Sequence, residues 1–291
     1  DFPLVPPLTK HTIPALSALV MWFWMYSRDF RPLPRSPIAV VLIVLFVFSP
    51  VATALLNRSP VLWGDFYIQG MTIRDAIAFV IQQVLLILPF LLARRFLSQA
   101  EDQRDLMFAF MVGGLLYSLP MLIEVRLSPQ LNLWIYGYYQ HDFIQTIRFG
   151  GFRPMVFLYH GIWAAFYLLM AIVAAFALWK TGAFKSNWKF LLIGMYLTGV
   201  LILAKSLGAW LFAAVLIPVI VLFGMKWQMR LAVCIAAFAI TYPALKGASL
   251  VPETAILEAA ASIDEDRAAS LDFRFHNENR LLERAQEKPL F

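Results

Sequence analysis

Runs of about 18 or more apolar residues, with no Asp, Glu, Lys or Arg in their interior, recur along this chain of 291 residues. Runs of this length can cross the hydrocarbon core of a bilayer as helices. Inside lipid the backbone must satisfy its own hydrogen bonds, so only a helix bundle or a closed β-barrel can form there. Barrel strands alternate apolar and polar residues, and these runs do not. The sequence therefore predicts an all-α fold, a polytopic integral membrane helix bundle.

Composition agrees with a membrane protein, because 61% of the residues are hydrophobic and 14% are charged. Soluble domains carry about a quarter charged residues. The formal net charge is +6, and positive-inside topology with headgroup contact accounts for the basic excess without nucleic acid. The single cysteine excludes a disulfide within the chain and a cysteine-based metal site.

Eight spans are predicted, joined mostly by short polar or turn-forming connectors. They cover residues 12–27, 37–56, 76–93, 106–124, 155–179, 189–204, 207–225 and 231–246. Residues 1–246 form the predicted transmembrane bundle, which includes an outer loop at 125–154, and residues 247–291 form an amphipathic helical segment. The chain begins at Asp1 rather than Met and ends at Phe291, so we expect it to be a fragment that is truncated at its C-terminus.

The placement of basic residues predicts the orientation of the bundle. The connectors 28–36, 94–105, 180–189 and 226–230 together hold 11 Lys and Arg, and the opposite side up to residue 246 holds 8. The positive-inside rule places the first set in the cytoplasm. Loop 125–154 and the tail then share the outer face.

Ionisable residues are missing from the middle of every predicted span. Pumps and coupled transporters place such groups at membrane depth, because a charge must be handed across. The sequence therefore argues against a pump or a proton-coupled carrier and favours a function at the lipid–water boundary. On the outer face the chain keeps Arg126, Arg148 and Arg153 against the usual bias.

Arg148 and Arg153 bracket Gly150 and Gly151 immediately before the fifth span. Guanidinium groups match phosphate oxygens in pairs, and glycine lets a backbone come close to a ligand. The pattern predicts a pyrophosphate clamp, with Lys205 as a third positive charge. Alternatively, each of these cations reaches out to a lipid phosphate. The aromatic residues of the loop suit sugar rings and the headgroup region equally.

The catalytic base is not identified from the residues. A base must take a proton from an acceptor hydroxyl, and the titratable candidates are His160, His276 and Glu124. Apolar residues of the tail recur at helical spacing, so we expect an amphipathic helix that lies over the outer mouth of the bundle and ends near Pro289. Glu278 is expected to pair with Arg274 four residues before it.

Three segments occur in a familiar order: "IRFGGFRPMVFLYHGIWAAFYLL", "LAKSLGAWLFAAVLI" and "LDFRFHNENRLLERAQEKPLF". Together they resemble the bacterial O-antigen ligase and O-antigen or exopolysaccharide polymerase family. The resemblance covers most of the chain in hydropathy and is motif-specific from about residue 145 onward.

The resemblance implies a membrane glycosyltransferase of the bacterial inner membrane that works on its periplasmic face. Such proteins move a glycan from an undecaprenyl-pyrophosphate carrier to lipid A–core, as ligases, or to a second carrier-linked glycan, as polymerases. It implies no metal, no cofactor and no nucleotide sugar. By position, Arg153 (or Arg148) and Arg274 would bind the pyrophosphate, and Lys205 would stand in for an arginine next to Ser206.

The chain also departs from the family pattern. Ser206-Leu207-Gly208 stands where the family has Ser-Arg-Gly, and "RPMVFLYHG" replaces an Asn-rich span entrance. The family's Gly-rich stretch and His-Asn pair follow the Pro-Leu-Phe at which this chain stops, so we expect the fragment to be inactive alone. Two other functions stay open: a carrier or flippase for a lipid-linked or anionic substrate, and a non-catalytic scaffold.

Overall fold

The computed structural model describes residues 12–25, 33–63, 66–148, 150–182, 187–262 and 265–287. Within them the chain is mostly helical and adds two short antiparallel hairpins. The helices are α1 Thr12–Met25, α2 Pro37–Leu56, α3 Ile73–Phe96, α4 Ala100–Leu127, α5 Leu131–Tyr136, α6 Gly161–Thr181, α7 Trp188–Leu203, α8 Leu207–Leu222, α9 Met225–Gly247, α10 Glu253–Ala261 and α11 Glu265–Glu287. The strands are β1 Val61–Trp63, β2 Phe66–Ile68, β3 Ile147–Arg148 and β4 Gly151–Phe152. The predicted all-α class is confirmed.

Each predicted span coincides with a helix in the part of the chain that the structure describes. Five of these helices, α2, α3, α4, α6 and α9, are long and apolar enough to cross a membrane, whereas α1, α7 and α8 have 14, 16 and 16 residues. Large apolar side chains on α2 are exposed, such as Ile38 at 73%, as expected where a helix faces lipid. The protein is therefore a helical membrane protein, and the count of eight spans stays a prediction.

The predicted start of the fifth span was wrong. The prediction placed it at residue 155, but α6 begins at Gly161. The intervening residues form turns and bends, with Val156 in the left-handed region at φ +53°. Their backbone is held by side chains from elsewhere in the chain, as described below.

The contacts of the chain divide it into two compact units, residues 97–237 and residues 1–96 with 238–291. In the first-named unit, hereafter the central unit, α6 packs against α4, α7 and α8. The buried face of α6 is rich in alanine, which lets neighbouring helices approach closely. A Cβ added at Gly114 of α4 would overlap Ala171 of α6. The division predicted at residue 246 stays a prediction.

In the other unit, hereafter the terminal unit, α1 and α2 pack against α3, and α10 packs against α11. The tail thus forms two helices where the sequence predicted one. The predicted end of the tail helix near Pro289 lies outside the described residues.

A polar cluster links the end of α9 to the tail helices. Lys246 is buried, and its Nζ lies 2.6 Å from Glu253 Oε1 and 3.6 Å from Glu278 Oε2. Tyr242 Oη donates to Glu278 Oε2 at 3.0 Å. Glu278 thus serves as a carboxylate partner for the buried ammonium of Lys246, and its predicted pairing with Arg274 stays a prediction.

Candidate functional site

Three of the residues predicted to bind an anion, and two predicted as bases, gather at one end of the central unit. This end contains the last turn of α4, the segment 137–160, the first turn of α6 and the junction of α7 with α8. Arg148, Arg153, Lys205, His160 and Glu124 all belong to it. Because α6 packs against α4 and α8, residues far apart in the chain meet here.

A short antiparallel hairpin positions Arg148. Strands β3 and β4 pair with the register Ile147↔Phe152 and Arg148↔Gly151. Gly150 occupies the turn at φ +66°, a conformation that favours glycine. Arg148 is exposed, and its side chain leaves the ladder on the same face as a side chain at Gly151 would.

Lys205 approaches that face of the hairpin. A Cβ added at Gly151 would overlap Lys205 Nζ, so the ammonium lies directly against the backbone there. Lys205 forms the junction of α7 and α8 with φ +51°. Its half-buried side chain thus adds a positive charge on the Arg148 side of the ladder.

Arg153 completes the basic cluster, which consists of Arg148, Arg153 and Lys205. Its Nη2 donates to the Lys205 carbonyl oxygen at 3.4 Å. A Cβ added at Gly161 would overlap the Arg153 methylene groups, so this side chain runs across the N-terminus of α6. Helix N-termini carry partial positive charge and favour anions, and both α6 and α8 begin at this end.

His160 caps α6, because its Nδ1 accepts a hydrogen bond from the Ile162 N–H at 3.0 Å. Burial, reinforced by the nearby His141, Arg153 and Arg148, lowers the pKa of His160 to about 4. The ring is therefore neutral at pH 7, and with Nδ1 accepting, its proton sits on Nε2. In this arrangement His160 offers an N–H donor, which does not suit the predicted role of general base.

His141 lies beside His160, with 4.6 Å between the ring centroids. Its Nε2 is 3.2 Å from Gln145 Oε1. No spacing in the sequence signals this pair, because 18 residues, among them strands β3 and β4, lie between the two histidines.

Glu124 is buried in the last turn of α4 and uses both carboxylate oxygens. Its Oε2 accepts from the N–H groups of Met155 at 2.8 Å and Val156 at 2.7 Å. Its Oε1 accepts from the Leu131 N–H at 3.1 Å. These bonds occupy the oxygens that a general base would need, so the geometry gives Glu124 a different role from the predicted catalytic one.

Three predicted site residues do not share these contacts. Arg126 is exposed in the last turn of α4. Arg274 and His276 are exposed on α11, in the terminal unit. That Arg274 joins Arg153 at a pyrophosphate stays a prediction.

Within the described residues, no group of three or more His, Cys, Asp or Glu side chains could hold a metal ion.

No protein-family model, no curated protein and no solved structure matches this chain.

Proposed function

We propose that the protein is a membrane glycosyltransferase that moves a glycan from an undecaprenyl-pyrophosphate carrier to an acceptor. The acceptor is lipid A–core or a second carrier-linked glycan, on the periplasmic face of the bacterial inner membrane. The observation that carries the proposal is the basic cluster, where Arg148 and Lys205 share one face of a glycine hairpin and Arg153 bonds to Lys205.

The chemistry of the donor matches such a cluster. Transfer breaks the bond between the anomeric carbon and the pyrophosphate oxygen, and the pyrophosphate keeps the electron pair. The anomeric carbon then bonds to the oxygen of the acceptor hydroxyl, whose proton passes to a general base. Fixed cations at a partly dry boundary stabilise the charge that develops on the leaving pyrophosphate.

The surroundings of the basic cluster support a substrate at the membrane surface. The cluster lies where candidate spans α4 and α6 end and begin, not at their middle. Exposed aromatic rings, Trp134, Tyr136, Tyr159 and Trp163, belong to the same end of the central unit. Such rings present flat apolar faces to sugars or to lipid headgroups.

A complementation experiment tests the proposal. A strain that lacks the gene receives the full-length gene as wild type, as Arg153→Ala, or as Arg230→Ala. Arg230 is a matched control, because it lies on α9 and stacks on Trp227, 4.7 Å from the ring centroid. We expect Arg153→Ala to lose the transferred glycan and Arg230→Ala to retain it.

The glycan profile and the location of the donor separate the alternatives. Absence of glycan on the lipid core indicates a ligase, and single repeats indicate a polymerase. Donor that accumulates on the periplasmic leaflet supports a transferase, whereas donor trapped on the cytoplasmic leaflet would indicate a flippase. A deletion strain with an unchanged profile would remove the enzyme proposal.

A further inference from the structure

The segment 154–158 joins Arg153 to the turn that caps α6, and it is irregular yet buried. Pro154, Met155 and Val156 are all buried. A non-helical backbone at the end of membrane helices must find partners for its N–H and C=O groups inside the protein. The conformation also carries strain, because Val156 has φ +53° and a β-branched side chain.

Side chains from other parts of the chain supply those partners. Glu124 accepts from the N–H groups of Met155 and Val156. Tyr117 Oη accepts from the Phe157 N–H at 3.0 Å.

The carbonyl groups of the segment are held in the same way. Gln140 Nε2 donates to the carbonyl oxygens of Val156 at 2.9 Å and Leu158 at 3.0 Å. The segment therefore has its shape imposed by side chains more than by its own backbone bonds.

Glu124 is the carboxylate among these three side chains, and it also reaches beyond the segment. It is 1% exposed and binds two consecutive N–H groups of the segment, and a third on α5. Only an ionised carboxylate offers two oxygens that both accept without a donor of their own. Hydrogen bonds to a charged acceptor are also stronger than those to a neutral one.

We propose that Glu124 is a positioning residue for the basic cluster. By holding the backbone of Met155 and Val156, it determines where the Arg153 side chain leaves the backbone, two residues before Met155. It also sets where His160 meets α6, four residues later. Its effect on a diphosphate ligand rests on the proposed function; its effect on the placement of Arg153 does not.

Three variants separate this role from general stability. Glu124→Ala removes all three hydrogen bonds, whereas Glu124→Gln keeps one accepting oxygen and presents a donor where the other oxygen was. Ser118→Ala is the matched control, because Ser118 is a buried polar residue of α4 that bonds to Tyr196 Oη at 3.0 Å, away from the segment. Thermal unfolding of each purified variant shows whether it folds.

The first readout is the rate at which phenylglyoxal modifies Arg153, measured by mass spectrometry relative to Arg230 in the same molecule. In the wild type Arg153 is half-buried. We expect the Arg153 rate to rise about tenfold in Glu124→Ala, since hydrogen bonds to a charged group are lost, and to rise less in Glu124→Gln. Ser118→Ala should react as the wild type does.

The second readout is the Kd for undecaprenyl pyrophosphate in nanodiscs, which should weaken in the same order by about tenfold in Glu124→Ala. If Glu124→Ala does not fold, Glu124→Gln decides. Unchanged Arg153 reactivity in the folded Glu124 variants would overturn the positioning role. If Arg153 reactivity rises in the Glu124 variants but the wild type binds no undecaprenyl pyrophosphate, the positioning role is supported and the proposed function is removed.

Discussion

Replacing Gly161 with alanine should weaken pyrophosphate binding without unfolding the protein. The added Cβ would overlap Arg153 Cδ, and would lie 2.6 Å from Arg153 Cγ and 3.1 Å from the Pro154 carbonyl oxygen. Contacts this short force a shift, and the atoms that must move are in the middle of the arginine side chain. The guanidinium group at its end is therefore displaced from the basic cluster.

The size of the effect follows from the bonds at stake. Hydrogen bonds to a charged group contribute about 1.5–3 kcal/mol, so Kd should rise by roughly 10- to 150-fold at about 1.4 kcal/mol for each factor of ten. Stability should change less. Alanine at the first position of α6 gains at most about 1 kcal/mol of helix propensity over glycine, which partly offsets an overpacking cost of about 1–3 kcal/mol.

The assay is equilibrium binding of undecaprenyl pyrophosphate to the protein in nanodiscs, with thermal unfolding measured in parallel. Gly199→Ala is the matched control, because a Cβ at that position of α7 would enter open space. Its Kd should equal that of the wild type. A folded Gly161→Ala variant that binds as tightly as the wild type would refute the placement of Arg153 across the end of α6.

Three further predictions concern stability and pH. Lys246→Met should lower the free energy of unfolding by about 1–3 kcal/mol, because the substitution leaves the partly hydrated carboxylates of Glu253 and Glu278 without their ammonium partner. Denaturant titration measures this change. Hydrogen bonds from Lys246, and then from Asn279, lower the pKa of Glu253. The ionised Glu253 therefore stabilises the fold above its usual pKa, and this stabilisation is lost as pH falls through the lowered pKa. In Glu253→Gln the free energy of unfolding should not show this loss. For His160 the folded pKa of about 4 lies below the ordinary 6.5, so wild-type stability should fall as pH drops from 6.5 towards about 4, whereas His160→Asn, which keeps a capping side chain, should not show this decline.

Local signals were enough to predict several elements of the fold. The boundaries of α2 at residues 37 and 56 were predicted correctly, because an apolar run is bracketed there by Ser36, whose side chain caps the helix, and by Asn57. The close association of Arg148 with Gly151 follows from a glycine pair that permits a tight hairpin.

Non-local contacts explain what the sequence did not reveal. Residues 155–160 are nearly as apolar as a span, and Glu124, Tyr117 and Gln140 hold the backbone of residues 155–158 in a non-helical conformation. These hydrogen bonds join positions 16 to 40 residues apart, a distance at which periodicity carries no information. For the same reason the pattern of basic residues does not reveal that the fold buries Lys246 against two carboxylates.

The most direct measurement compares the affinity of the protein for undecaprenyl pyrophosphate with its affinity for undecaprenyl monophosphate, in wild type and in Arg153→Ala. A cluster of three cations should prefer the diphosphate by about tenfold or more, and that preference should collapse in the variant. Equal affinity for the two lipids, or a preference that survives the loss of Arg153, would contradict a diphosphate site at this end of the central unit.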